Sequence, residues 1–339
     1  MEAVRSHTVR VLEVIDETAD ARSVVFDLPG VAYRPGQFVT VRVPSDLTGW
    51  VSRCYSLSSS PHIDEPLRFT VKRTSAGYAS NWLCDNVVTD MQLEILPPSG
   101  AFTPASLDVD LLLFAAGSGI TPILSIVKSA LVQGGGHIHL FYANRSDENV
   151  IFAAEIEALE RKYHTRLTVG YWMENVQGLP GVGAIAAAYD SHPDRDIYLC
   201  GPGPFMDIAV RALTERGVPR ARIHREVFTS LTEDPFSAQQ HRPAETAAPA
   251  HRVTVNLNGV STTLDWPGHI DLVELLLRMD LPVPHSCREG ACGSCEAVLK
   301  SGEVRMESNS ILTEEDMAEG YILACQAHPS GTSDIEVEF

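Results

Sequence analysis

Four cysteines constrain this chain more than any other feature. Cys287, Cys292 and Cys295 form a C-x4-C-x2-C loop, and Cys325 follows thirty residues later. That is the spacing with which cysteine thiolates hold a [2Fe–2S] cluster. The residues between them suit the task. Gly290, Ala291, Gly293 and Ser294 leave room for sulfide, permit the backbone angles of a tight wrap, and leave N–H groups able to point at sulfur. A structural zinc site is the alternative, but zinc modules more often bring two separated C-x2-C pairs, whereas here three ligands crowd one loop. Cys54, Cys84 and Cys200 are scattered singly. In a chain without a secretion signal, grouped cysteines read as metal ligands before disulfides.

The 339 residues exceed what one hydrophobic core organises, so several domains are expected. Residues 1–106 carry short alternating runs (His7–Val14, Val24–Leu28, Gln37–Val43, Leu67–Lys72, Met91–Ile95) broken by Pro, Gly and Ser turns. That pattern predicts a small antiparallel β-barrel. Over residues 107–229 strands alternate with helices, from Leu111–Ala115 and Pro122–Gln133 to Asp196–Cys200 and Pro204–Arg216. Such alternation predicts a parallel α/β sheet. Residues 230–250, polar and rich in Pro and Ala, read as a linker. Residues 251–339 open with a hairpin across Asn258-Gly259 and a helix over Asp271–Met279, then enter the cysteine loop.

Net charge is −18, which argues against nucleic-acid binding. From His251 onward five Lys/Arg face fifteen Asp/Glu, so much of the excess sits in the last quarter. Such a face is commonly just solvated, and gains meaning only if this segment must meet another protein. The N-terminus alternates apolar and polar residues and no apolar run is long enough to span a bilayer, so a cytoplasmic protein without a membrane partner is expected.

Two motifs in the barrel segment carry chemistry. In RCYSLS, the Arg53 guanidinium suits a pyrophosphate, the Tyr55 ring can stack on an isoalloxazine, and Ser56 can reach its polar edge. Alone, such a string is more often an ordinary strand. In GYASNWL, Gly77, Ser80 and Asn81 open a short helix whose N-terminus offers N–H groups to phosphate, although simple N-capping by Ser80 or Asn81 would look the same. Two glycine turns in the α/β segment complete the set. AAGSGITP places Gly117, Gly119 and Thr121 at a strand-to-helix junction, and CGPG places Cys200, Gly201 and Gly203 at another. Two such turns at carboxyl ends of parallel strands mark a ligand crevice.

With these motifs assembled in order, the chain resembles the ferredoxin–NADP reductase superfamily, in the branch carrying a C-terminal plant-type ferredoxin domain. Within the branch it looks most similar to reductases of 3-ketosteroid 9α-hydroxylase and phenylacetyl-CoA oxygenase systems, which serve Rieske-type and diiron oxygenases respectively. The resemblance implies a flavin-binding barrel, a nucleotide-binding α/β domain and an α+β β-grasp ferredoxin domain. It implies FAD, NADH and a [2Fe–2S] cluster on Cys287, Cys292, Cys295 and Cys325, with electrons passed to a terminal oxygenase. Cys200 and Thr121 are expected at the nicotinamide, and Glu226 and Phe228 of HREVF near the flavin edge, where a plain strand end is the alternative. A cluster-based redox sensor or binding module with little turnover is the competing function.

Overall fold

The structure, a computed structural model, describes residues 6–228, 231, 235–236, 250–257, 259–279, 281, 283–285 and 287–339. The expected linker lies outside the described residues apart from Leu231, Pro235, Phe236 and Ala250, and so does Asn258 of the expected hairpin turn. Chain contacts divide the molecule into two compact units. One comprises Ser6–Pro98 and Phe102–Phe228, and the other holds the C-terminal sheet.

The larger unit begins with six antiparallel strands and one helix: β1 (His7–Thr18), β2 (Ala21–Phe26), β3 (Phe38–Ser45), β4 (Gly49–Ser56), β5 (Leu67–Lys72), α1 (Tyr78–Asn86) and β6 (Gln92–Ile95). Their order is β4-β3-β6-β1-β2-β5, and a bridge between Leu57 and Phe69 brings the two edge strands together. Closure of this kind removes exposed strand edges. Val9, Val11, Val39, Val41, Phe26 and Phe69 alternate inward to fill the interior. Expectation and structure differ at the RCYS motif. Arg53–Ser56 do not follow a strand but are the last residues of β4, paired with β3 from Ser56↔Phe38 to Arg53↔Val41.

The α/β layer follows with β7 (Leu111–Ala116), α2 (Ile120–Gln133), β8 (Ile138–Asn144), α3 (Ala153–Lys162), β9 (Leu167–Met173), α4 (Glu174–Gln177), α5 (Val182–Asp190), β10 (Asp196–Cys200), α6 (Gly203–Glu215) and β11 (Ile223–Glu226). All four pairings are parallel, in the order β11-β10-β7-β8-β9. β7 shows why a parallel strand reads as an unbroken apolar run. Leu111, Leu113 and Ala115 enter the core beneath α2, while Leu112, Phe114 and Ala116 enter the core against α6. Each fully buried Leu or Phe contributes about 1.5–3 kcal/mol. Strand order reverses between β7 and β10, so their carboxyl ends flank the crevice where such sheets receive ligands.

The smaller unit contains β12 (Ala250–Leu257), β13 (Val260–Pro267), α7 (Leu272–Arg278), β14 (Glu296–Ser301), β15 (Glu303–Met306), α8 (Glu314–Ala318), β16 (Tyr321–Leu323), β17 (Ala327–Ser330) and β18 (Ile335–Glu338). Its main sheet runs β13-β12-β18-β14-β16, with β12 and β18 parallel and the rest antiparallel. Leu272, Leu275 and Leu276 of α7 pack on Val253, Val255 and Val337. Trp266 is fully buried and satisfies its indole N–H on the Ile270 carbonyl at 2.9 Å. Everything after the cysteine loop escapes a strand-by-strand reading of the sequence, because these strands are only three to six residues long. Among the described residues, no helix is long and apolar enough to cross a membrane.

Candidate functional site

The crevice of the larger unit is built where two glycine turns touch. A Cβ placed on Gly119 would lie 2.0 Å from the Cys200 carbonyl oxygen, and one on Gly201 would lie 2.9 Å from the Ala116 Cβ. These glycines let the carboxyl ends of β7 and β10 meet backbone to backbone. Gly117 adopts φ +53°, a left-handed geometry in which a side chain is strained, and its carbonyl accepts from the Tyr142 hydroxyl at 3.2 Å. Thr121 is buried and donates its hydroxyl to the Ser118 carbonyl at 3.0 Å, so it holds the turn itself. Gly203 differs from the others: nothing lies within 4 Å of where its Cβ would be, at the open first turn of α6.

Parallel register then brings three sequence-distant residues into line. Cys200 pairs with Ala115 on one side and Glu226 on the other. Cys200 is fully buried, and burial, with the Glu226 charge, pushes its thiol well above the usual range. Glu226 is 7% exposed and its carboxyl makes no hydrogen bond or ion pair among the described residues; burial lifts it from 4.5 to about 8. Near neutrality it is therefore mostly protonated. Phe228, two residues on, is 45% exposed.

On the barrel side Tyr55 stacks on Phe69, with ring centroids 5.6 Å apart and planes at 24°. Arg53 donates to the Ser52 carbonyl at 2.7 Å. Ser56 is 2% exposed, yet its hydroxyl finds no hydrogen-bond partner among the described residues. An unpaired buried hydroxyl is costly, and a polar ring edge beside it would remove that cost. In the GYASNWL motif Gly77, rather than Ser80 or Asn81, occupies the N-cap of α1. The Ser80 hydroxyl accepts from Thr74 N–H at 3.1 Å, and the Asn81 amide donates to the Gly77 carbonyl at 2.7 Å and the Thr74 carbonyl at 3.2 Å. Both side chains thus fold back to hold the loop, and the first turn of α1 has no side-chain cap. Lys72, which sequence reasoning passes over, brings its ammonium to 3.8 Å from the Cβ position of Gly117.

In the smaller unit the cysteine loop wraps as its small residues allow. Arg288, Gly290 and Gly293 take positive φ of 58°, 72° and 72°. A Cβ on Gly290 would meet the Ser308 carbonyl at 2.8 Å. Arg288 is tied to Asp271 at 3.2 Å and Glu274 at 2.9 Å, so the loop is fastened to the start of α7. The thiols fall into two pairs. Cys292 neighbours Cys287 and, with N–H groups of Glu289, Ala291 and Cys292, holds the Cys287 thiol below its usual range; the Glu289 N–H donates to Cys287 Sγ at 3.4 Å. Cys295 does the same for Cys325, lowering it with help from Gln326 and the Gly290 N–H. No three His, Cys, Asp or Glu among the described residues converge as on a single ion. Pairs of sulfurs are what a two-iron cluster needs, since each iron takes two protein ligands, and the inward N–H groups would stabilise its negative sulfurs.

Known proteins agree with this geometry. Residues 8–103 match the oxidoreductase FAD-binding domain, 113–211 the oxidoreductase NAD-binding domain, and 255–330 the 2Fe-2S iron-sulfur cluster binding domain. The ferredoxin reductase component of 3-ketosteroid-9-alpha-monooxygenase from Rhodococcus rhodochrous is 54% identical, over 99% of this chain and 97% of the relative. The chain belongs to the family of oxygenase ferredoxin-reductase components. A component of 1,2-phenylacetyl-CoA epoxidase from Escherichia coli is 29% identical over 98% of this chain and 97% of its own. Phthalate dioxygenase reductase shares the fold, with a TM-score of 0.59 at 23% identity and 98% of each chain covered. The multidomain architecture expected from sequence is that of this family: an antiparallel flavin-binding barrel, a parallel-sheet nucleotide domain and a C-terminal iron–sulfur domain. As a family member the protein is an oxidoreductase using FAD, NADH and a [2Fe–2S] cluster to pass electrons to an oxygenase.

Proposed function

We propose that this reductase takes hydride from NADH in the crevice between the Gly117–Gly119 and Gly201–Gly203 turns and delivers electrons singly to a Rieske-type oxygenase of a 3-ketosteroid 9α-hydroxylating system. The four grouped cysteines, within the 2Fe-2S domain match over residues 255–330 and in a unit distinct from the one bearing the glycine crevice, support the electron path. The 54% identity to the ketosteroid reductase component, against 29% to the phenylacetyl-CoA epoxidase component, favours the steroid system over a diiron partner. A cytoplasmic location, where NADH is supplied, belongs to the same reading.

A bound flavin supplies the one chemistry the side chains lack, accepting two electrons together and releasing them singly. The residues bind and orient. Arg53 and the first N–H groups of α1, which follow Gly77, Ser80 and Asn81, would hold the flavin phosphates, Tyr55 would offer a ring face, and Ser56 its unpaired hydroxyl. Thr121 and the glycines keep the nicotinamide against bare backbone. Glu226 keeps a proton on its carboxyl beside the Cys200 Sγ, so no fixed negative charge opposes the electrons gathered there. Phe228 covers the edge of the same site.

Cys325→Ser tests the path. The variant should still oxidise NADH with ferricyanide, within about twofold of the parent, and lose electron transfer to the oxygenase by at least about a hundredfold, since one iron loses a ligand. In the parent, transfer to the oxygenase should fall with ionic strength much more steeply than NADH-driven reduction of the internal cluster, because fifteen acidic residues crowd the iron–sulfur domain. Negligible turnover of the parent with ferricyanide would instead favour a redox sensor.

A further inference from the structure

The helix that begins at the nicotinamide turn is fastened to the strand that ends at the flavin by buried polar groups rather than by apolar packing alone. α2 starts at Ile120 and presents Ser125, Lys128 and Ser129 on one stripe, the i, i+3, i+4 spacing of a single helix face. The facing chain is Ser58-Ser59-Ser60, which begins one residue, Leu57, beyond the end of β4. Ser125 donates to the Ser59 carbonyl at 2.6 Å, and the hydroxyls of Ser129 and Ser60 meet at 2.8 Å. Ser59, Ser60, Ser125 and Ser129 have no exposed surface. The Lys128 ammonium, on a side chain 3% exposed, lies between Asp64, with which it makes a close ion pair, and Glu155 at 2.8 Å. Arg68 of β5 closes the circuit, reaching Glu155 at 2.7 Å and the Ser58 hydroxyl at 3.1 Å.

We propose that this seam sets the separation and angle of nicotinamide and flavin, making Ser125, Lys128 and Ser129 positioning residues for hydride transfer. The inference rests on the electron-transfer reading of the crevice. Apolar contacts are non-directional and let two surfaces slide, whereas hydrogen bonds and a buried ammonium between two carboxylates hold one register. Burying a lysine is a poor route to stability, because apolar residues of similar volume commonly stabilise as well or better; its use here is conformational specificity. The anchors are also near the chemistry. Ser125 is one helical turn from Thr121, about 6 Å along α2 at 1.5 Å per residue. Ser59 is three residues from Ser56, about 10 Å of extended chain. Between each anchor and its cofactor contact lies regular or buried chain, so a shift at the seam is carried to the reacting atoms.

The test uses the full-length holoprotein with two variants, Lys128→Met and the double substitution Ser125→Ala with Ser129→Ala. Anaerobic rapid mixing gives the limiting rate of flavin reduction and the NADH Kd, and C4-deuterated NADH gives the isotope effect across temperature. Amide exchange over residues 117–125 of the flavin-free protein supplies a readout independent of turnover. The limiting rate should fall about tenfold to a hundredfold, the cost of a misplacement near 1 Å. Kd should stay within about twofold, because the glycine turns that touch the nucleotide are unchanged. The isotope effect should become more temperature-dependent, and exchange at 117–125 should rise. If Lys128→Met does not fold, the serine variant, which removes only two hydroxyls, decides. A variant that melts lower yet reduces flavin within twofold of the parent, with an unchanged isotope effect, would overturn the proposal and leave the seam a stabilising contact. Failure of the parent itself to reduce flavin with NADH would sink the electron-transfer reading, and is distinguishable for that reason.

Discussion

Replacing Glu226 by glutamine should make the flavin–nucleotide unit more resistant to alkaline pH. The Glu226 carboxyl is lifted from 4.5 to about 8 by burial, with no partner among the described residues to offset it. One pKa unit corresponds to about 1.4 kcal/mol, so ionising the group in place costs up to about 5 kcal/mol. In the unfolded chain Glu226 ionises at its ordinary pKa, while in the folded protein it keeps its proton until about pH 8. The folded state therefore has full stability below pH 4.5 and loses it as pH rises towards 8. Water reaching the remaining exposed edge of the side chain should reduce the realised loss to about 2–3 kcal/mol. Cys200 stays a thiol over this range, since burial and the Glu226 charge both push it up. Glu226→Gln retains the shape and removes the titration. The assay is melting of the full-length holoprotein, followed by release of flavin fluorescence at intervals from pH 5 to 8.5. Relative to the parent, the variant should gain about 5–10 °C at the alkaline end, taking about 2–4 °C per kcal/mol for a unit of this size. Curves for parent and variant that run parallel across the whole range would refute the argument, because Glu226 would then titrate alike folded and unfolded.

Gly119→Ala should retain flavin but lower the limiting rate of its reduction by NADH at least about a hundredfold, since the new Cβ would sit 2.0 Å from the Cys200 carbonyl and the two turns must part. Bound-flavin absorbance alongside rapid-mixing kinetics separates this from loss of the fold; near-parental kinetics would show that the turns need not touch. NADH should be preferred over NADPH by about tenfold in kcat/KM, because exposed Asp147 and Glu148 follow β8 and would repel a 2′-phosphate beyond what Arg145 alone offsets. Steady-state kinetics with both nucleotides check it, and a higher kcat/KM for NADPH would reverse it.

Several features of this protein were legible before any folding. The cysteine spacing is read locally because one small cluster can be reached only by ligands a few residues apart, with one brought back from elsewhere. The glycine turns of β7 and β10 are legible for a similar reason, as only glycine allows two backbones to meet at the distances seen at Gly119 and Gly201. Strand–helix alternation revealed the parallel sheet, since β7 needs apolar residues towards both layers. Tertiary structure decided the rest. Ser80 and Asn81 are helix-start residues in sequence, and only the fold shows that Gly77 takes the N-cap while their side chains bond to the loop before it. Glu226 is an ordinary strand-end carboxylate until β10 and the surrounding chain desolvate it. The seam joins Ser59 to Ser125 and Ser60 to Ser129 across 66 and 69 residues of chain, and nothing in SLSSS or in α2 announces the other. Ligand spacing and backbone permissiveness belong to the residues themselves and survive in a linear reading. Desolvation and pairing belong to what surrounds a group, and that exists only once distant segments have packed.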